Sequence, residues 1–173
     1  MITLKALMGR HAATGEIAWI GSRPGRDLPM SVVDAAQISA TEGIVGDRFK
    51  ARRNMTRAVT LIQEEHLPVV AALIGARRVE PDQLRRNIVV RGINLLALID
   101  NEFELGPVVL RGTGRCHPCS KMETNLGLGG YNAMRGHGGI TASVVVPGVI
   151  RVGDPVRLHR AEPALASPSD EVS

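Results

Sequence analysis

Apolar residues recur along this chain in short runs, cut by glycine, proline or charge, and most of the runs are too short for helices. "ITLKALMG" near the N-terminus and "MSVVDAAQIS" from Met30 read as strands bounded by Gly, Pro or polar residues. "EGIVGDRF", Glu42 to Phe49, reads as a loop with a charged tip. "TRAVTLI", Thr56 to Ile62, is β-branched and reads as a strand. "QEEHLPVVAALIG" reads as a helix that stops at Gly75. Its acidic first turn suits a helix start, and Pro68 marks where that helix begins or kinks. "PDQLRRNIVVRG" leads from a polar turn into a strand over Asn87 to Arg91. "NEFELG" and "VVLRGTG" pair about Gly106-Pro107, and "GGYNAMRGHGG" is a short helix between glycine clusters. "ITASVVV" and "VIRVGDPVRLH" are expected to pair about the turn signal Pro147-Gly148. The pattern predicts a mainly β fold with a few helices (α+β), a barrel or sandwich, in one domain over residues 1–160. The small, polar stretch 161–173 is expected to be a disordered tail.

Composition narrows the chemistry. The chain has 173 residues, 44% apolar but only 2% aromatic, so the core is built from Val, Ile, Leu and Ala. A formal charge of +4 favours an anionic partner. The basic residues are dispersed, and Trp19 and Tyr131 stand alone, so no nucleic-acid stacking platform is expected. No run reaches the roughly 20 apolar residues of a membrane span. "MITLKALMGRHAATG" lacks the pattern of a secretory leader. Two cysteines do not make a disulfide framework. The expectation is a cytoplasmic protein with reduced thiols and no membrane partner.

Those two cysteines lie together in "GRCHPCSKMETNLG", Gly114 to Gly127. The spacing fits a thiol–disulfide pair, Cys116 and Cys119, with a helix following from Ser120. It fits half of a zinc site, although a structural zinc needs four ligands and no second pair exists. It fits two inert, buried thiols. Finally, it fits a thiolate offered to a soft metal or a transferable sulfur, which one cysteine satisfies. Arg111, Arg115, His117, Lys121 and Arg135 crowd the stretch, and cations beside a thiol favour the thiolate.

Four motifs in order add a resemblance: "GIVGDRF", "TRAVTLIQEEHL", "PDQLRRNIVVRGINLLAL" and "RCHPCSKMETNLGLGGYNAMRGHGGITASVVVPGVIRVGDPV". Together they resemble the MOSC domain, the C-terminal module of molybdenum-cofactor sulfurases, over roughly residues 1 to 160. The resemblance implies a β-barrel-like fold and a protein that binds the molybdenum cofactor (molybdopterin) or carries sulfur as a persulfide. In relatives that reduce N-hydroxylated compounds, the cysteine matching Cys119 ligates molybdenum, which makes Cys119 the candidate catalytic and metal-binding residue and Cys116 an accessory. Arg57, Arg86 and Arg135 lie in the family-like motifs and suit a phosphate by bidentate geometry. Asn87 beside Arg86, and Ser120 and Lys121 beside Cys119, complete the candidate cofactor-binding set. Asp47 is expected to pair with Arg48. Many relatives have histidine where this chain has Phe49. No flavin or haem motif is present, two cysteines cannot build an iron–sulfur cluster, and pyridoxal phosphate is not expected. An electron-donor protein or a cysteine desulfurase is the expected partner. The alternatives are a carrier without catalysis and a dithiol redox protein.

Overall fold

The structure, a computed structural model, describes residues 1–49 and 55–159; the expected tail lies outside them. Its strands are β1 (Gly15–Ser22), β2 (Ser31–Val33), β3 (Ala35–Ser39), β4 (Gly43–Ile44), β5 (Val59–Gln63) and β6 (Ile88–Arg91), followed by β7 (Glu102–Leu105), β8 (Val108–Arg115), β9 (Ile140–Val146), β10 (Gly148–Arg151) and β11 (Pro155–Leu158). The helices are α1 (Leu4–Met8), α2 (His66–Leu73), α3 (Lys121–Leu126) and α4 (Gly130–Ala133).

β11, β7, β8, β9, β5, β6 and β1 pair in that order, and β11 pairs again with β1, closing a seven-stranded barrel with β2 as an outer flap on β1. All pairs are antiparallel except β5 with β6, whose parallel register sets Leu61 opposite Ile88 and Gln63 opposite Val90. A second sheet, β10-β3-β4, is separate. The mainly β, barrel-like expectation is therefore met.

Side-chain alternation explains why the strands read differently. On β5 and β6, Leu61, Ile88 and Val90 point into the barrel. Their neighbours Ile62 and Val89 point outward, into a second core with Leu67 and Val70 of α2, Met122 of α3 and Met134. Strands covered on both faces read as unbroken apolar runs. On β7 the two faces differ: Phe103 and Leu105 are buried while Glu102 and Glu104 are partly exposed. These two cores fix the site, because the helical layer packs beside the β5–β6 end of the barrel.

Several expectations change. "LKALM" is the helix α1 and not a strand, because Leu4, Leu7 and Met8 have helical spacing and Thr3 accepts from Ala6 N (3.2 Å) at its start. β1 was missing from the pattern. Its register shifts between Ile17 and Trp19, so the inward residues Ile17 and Ile20 lie three apart and strict alternation fails. "MSVVDAAQIS" divides at Asp34 into β2, which pairs with β1, and β3, which pairs with β10. β9 and β10 do not form a hairpin: β9 stays in the barrel on β5 and β8, while β10 leaves for the second sheet, so Pro147 marks a change of sheet. α2 has no acid in its first turn; Glu65 precedes it and accepts from Gly92 N at 2.7 Å.

His66 at the start of α2 meets His137 edge-on, with ring centroids 5.2 Å apart. Burial lowers the proton affinity of His66, and the facing His137 lowers it further. A base with a depressed folded pKa stabilises the fold while neutral. That stability is full above the usual histidine value, about 6.5, and fades as pH falls through the lowered value. His66→Leu is therefore expected to flatten the loss of melting temperature between pH 7 and pH 5. Parallel pH profiles for wild type and variant would refute this.

Candidate functional site

Where the helical layer meets the end of the barrel there is a cleft of about 240 Å³. Arg23, Arg48, Arg57, Arg85 and Arg86 line it, and Cys116, His117, Cys119 and Lys121 form the facing wall. Among the described residues no carboxylate lines the cleft. A larger hollow of about 800 Å³ lies between the α1–β1 connection and β11, beside the last described residues, and holds neither cysteine. The cleft is the better candidate because cations and thiols converge there.

The cations differ in how much of their charge is spent. Asp47, 8% exposed, takes Arg23 in a two-pronged pair (Nε to Oδ1 2.9 Å, Nη2 to Oδ2 2.6 Å) and also accepts from Arg23 N. The expected Asp47–Arg48 pairing is thus wrong: Arg48 follows the acid in sequence, but its side chain lines the cleft, and its N–H donates to Arg23 O. Lys121 pairs with Asp27, whose carboxyl is held below its usual range chiefly by that bond. Arg48, Arg57, Arg85 and Arg86 have no carboxylate partner among the described residues.

Arg86 is 6% exposed. Its Nε donates to Gly138 O (2.8 Å), Nη1 to Leu84 O (2.9 Å) and Nη2 to Cys116 O (3.3 Å). Burial disfavours its charge and lowers its pKa from the usual arginine value. A buried guanidinium without an acid is costly unless an anion compensates it. Gly138 is required here: a Cβ would come 2.1 Å from Cys116 O. Arg86 therefore braces the wall that carries the thiols.

The preceding residue does the opposite. Arg85 has a left-handed backbone (φ 55°), and its side chain lines the cleft together with that of Arg86. Nη1 donates to Leu28 O (3.3 Å), while Nη2 is buried with no hydrogen-bond partner among the described residues. An orphan buried donor in a cationic cleft is what a missing anion leaves behind. The motif "RRN" points to Arg86 as the phosphate candidate, whereas the structure sets Arg85 in the cleft beside it; the doubled arginine is the signal that could have found it.

Of the predicted residues, Cys119, Arg57, Arg86 and Lys121 meet in the cleft. Asn87, Ser120 and Arg135 are not in its lining. Asn87, 1% exposed, has its amide occupied: Oδ1 accepts from Thr60 Oγ1 (2.8 Å) and Nδ2 donates to Gly21 O (3.3 Å), which ties β1, β5 and β6. Ser120 precedes α3 with its O accepting from Glu123 N, and Arg135 is exposed beyond α4. Both cysteines are free thiols, Cys116 buried and Cys119 exposed. Arg57 Nη2 lies 3.9 Å from Cys116 Sγ. Glu123 accepts from Tyr131 N and Gly129 N, which lower its pKa and fix α3, the helix behind Cys119, to α4. Phe49 packs on the barrel core, so the position often held by histidine contributes no polar group. Among the described residues no three His, Cys, Asp or Glu side chains converge on one point, and no helix is long and apolar enough to cross a membrane.

A closed barrel with a cysteine-bearing wall at one end agrees with the sequence resemblance, and a family model described as "MOSC domain" matches residues 31–157. The chain belongs to the MOSC domain family. Among solved structures it is similar to the YuaD protein of Bacillus subtilis (18% identity, 87% of this chain and 98% of that chain, TM-score 0.74). It is also similar to YiiM of Geobacillus stearothermophilus (17% identity, 84% and 75%, TM-score 0.69) and YiiM of Escherichia coli (18% identity, 85% and 71%, TM-score 0.65). No curated protein matches the sequence.

Proposed function

We propose that this protein binds the molybdenum cofactor in the cationic cleft, presents Cys119 to the metal, and reduces N-hydroxylated compounds with electrons from a partner. The observation that carries the reading is an exposed thiol beside four arginines that lack carboxylate partners among the described residues, one of them buried. A phosphate brings nearly two negative charges, and guanidinium is the side chain that best matches its geometry. The unpartnered Nη2 of Arg85 supplies a donor for it, and Arg48 and Arg57 supply further charge. The soft thiolate of Cys119 suits a thiophilic metal. The bound cofactor would supply the two-electron chemistry. The chain's own part is to hold the phosphate, orient the metal through one sulfur and supply a proton.

The exposure of Cys119 also favours a second reading, a carrier that passes sulfur or cofactor to another enzyme, with a cysteine desulfurase as the sulfur source. One assay separates the two. Protein from molybdate-fed cells, given a low-potential electron donor, is expected to reduce a simple N-hydroxylated compound; cofactor-loaded protein without that activity would leave the carrier. Arg85→Ala is expected to copurify with at least about tenfold less pterin, since a charge-assisted hydrogen bond contributes about 1.5–3 kcal/mol. Equal pterin in variant and wild type would remove Arg85 from the phosphate site.

A further inference from the structure

The charges gathered in the cleft do not cancel. Arg23 is paired with Asp47, and Lys121 with Asp27. Arg48, Arg57, Arg85 and Arg86 remain, without a carboxylate partner among the described residues. The phosphate of the proposed cofactor brings nearly two negative charges, and a thiolate at Cys119 brings one more. Positive charge is then left over in a partly enclosed site, where the surrounding protein focuses its field.

Position decides which arginine carries it. Arg86 is 6% exposed, and its Nε, Nη1 and Nη2 are each bonded to a carbonyl. Arg85 holds Leu28 O through Nη1, and its buried Nη2 is the donor assigned to the phosphate. Arg48 and Arg57 are both exposed. Arg48 follows Asp47 in the loop tied to Arg23. Arg57 stands at the thiols instead: it lies just before β5, and its Nη2 is 3.9 Å from Cys116 Sγ. Sulfur is a weak acceptor, so this contact does not use up a guanidinium that can take a carboxylate by two parallel bonds.

We propose that the cleft selects N-hydroxylated compounds that carry an acidic group, with Arg57 as the residue that receives it; the inference rests on the function proposed above. Selection works in both directions. A carboxylate on the substrate gains a bidentate partner beside the thiol wall. An ammonium or amidinium is repelled by the uncancelled arginines, and no carboxylate among the described lining residues offsets them. The reaction, R–NHOH + 2 e⁻ + 2 H⁺ → R–NH₂ + H₂O, breaks the N–O bond with electrons from the low-potential donor and protons from water. It leaves the rest of R intact, so the charge of R can be varied without changing the chemistry.

The experiment has two arms. In the first, cofactor-free protein is saturated with inorganic phosphate and titrated with para-aminophenylacetate, the amine that reduction would leave. The carboxylate is expected to bind beside the phosphate and to shift the Arg57 Nε–H signal in NMR spectra, while the corresponding amide shifts it little. Full exclusion of the carboxylate by phosphate would show that the cleft holds a single anion, and would overturn the proposal whatever the protein's activity. In the second, molybdenum-loaded protein is offered para-hydroxyaminophenylacetate, its amide and the analogue with an aminoethyl arm. The value of kcat/KM is expected to be at least about tenfold higher for the acid than for the amide, the lower end for a charge-assisted bond, and lower again for the amine. The preference should shrink as salt screens the site. Arg57→Gln should bring the acid-to-amide ratio close to one, whatever its rate on the amide, and Arg57→Lys should keep part of the preference. Equal kcat/KM for the three compounds in an active wild type, or an unchanged ratio in Arg57→Gln, would overturn the proposal and leave the proposed reduction standing. A loaded wild type that reduces none of the three would overturn the proposed function and the selection with it, whatever the first arm shows.

Discussion

Serine in place of Cys119 is expected to yield a folded protein that copurifies with little molybdenum and reduces N-hydroxylated compounds at least about 100-fold more slowly. Losing an outer-shell partner of a metal site already costs 10- to 100-fold, and in the function proposed above Cys119 is the ligand itself, replaced here by an alcohol, a poor partner for a soft centre. The fold should survive because Cys119 is exposed and its sulfur packs in neither core. Cys116→Ser is the contrasting case. Cys116 braces the wall through its backbone, with N donating to Gly139 O and O accepting from Arg86. Those bonds do not depend on the side chain, so this variant should keep much of its metal and activity. Equal losses in the two variants would indicate a working dithiol and favour the thiol–disulfide reading. Undiminished activity in Cys119→Ser would end the assignment of Cys119 as the metal ligand.

Arg86→Ala is expected to damage the fold before it damages binding. It removes three bonds from a charged donor to the carbonyls of Leu84, Cys116 and Gly138 and leaves those acceptors in a buried place. Charge-assisted bonds contribute about 1.5–3 kcal/mol each, and part of the loss is returned because a costly buried charge goes too, so the net is on the order of 3 kcal/mol. In a chain of this length that corresponds to a fall in Tm of about 6–12 °C. Sequence alone leads to a different expectation, an Arg86 that grips a phosphate, and its removal would then spare the fold. A variant that melts like wild type yet loses its pterin would restore that earlier picture.

The contrast between Arg85 and Arg86 shows where the sequence stops being informative. Residue type places both in a basic motif, but their partners differ: Arg86 is bound to three carbonyls, and Arg85 leaves one donor without a partner among the described residues. Asn87 is similar: its amide suits a ligand, and the fold uses it to join three strands. Composition cannot register such commitments, because they depend on what lies across the barrel. The β5 and β6 runs were legible because both of their faces are buried. β1 was not, because its bulge breaks alternation, and the β9–β10 pair was misread because a Pro-Gly step serves equally as a turn and as a passage between sheets. The cysteine wall was the most legible part of the site, since both thiols, His117 and Lys121 are contributed by one short segment.

The central claim is that the cationic cleft holds the molybdenum cofactor through Cys119, and the molybdenum-to-protein ratio of chain isolated from a molybdate-fed, cofactor-making host tests it most directly. The prediction is a ratio approaching one in wild type, with pterin in step, and a ratio near zero in Cys119→Ser. A folded wild type with both thiols free and no molybdenum, or equal metal in wild type and Cys119→Ser, would contradict it.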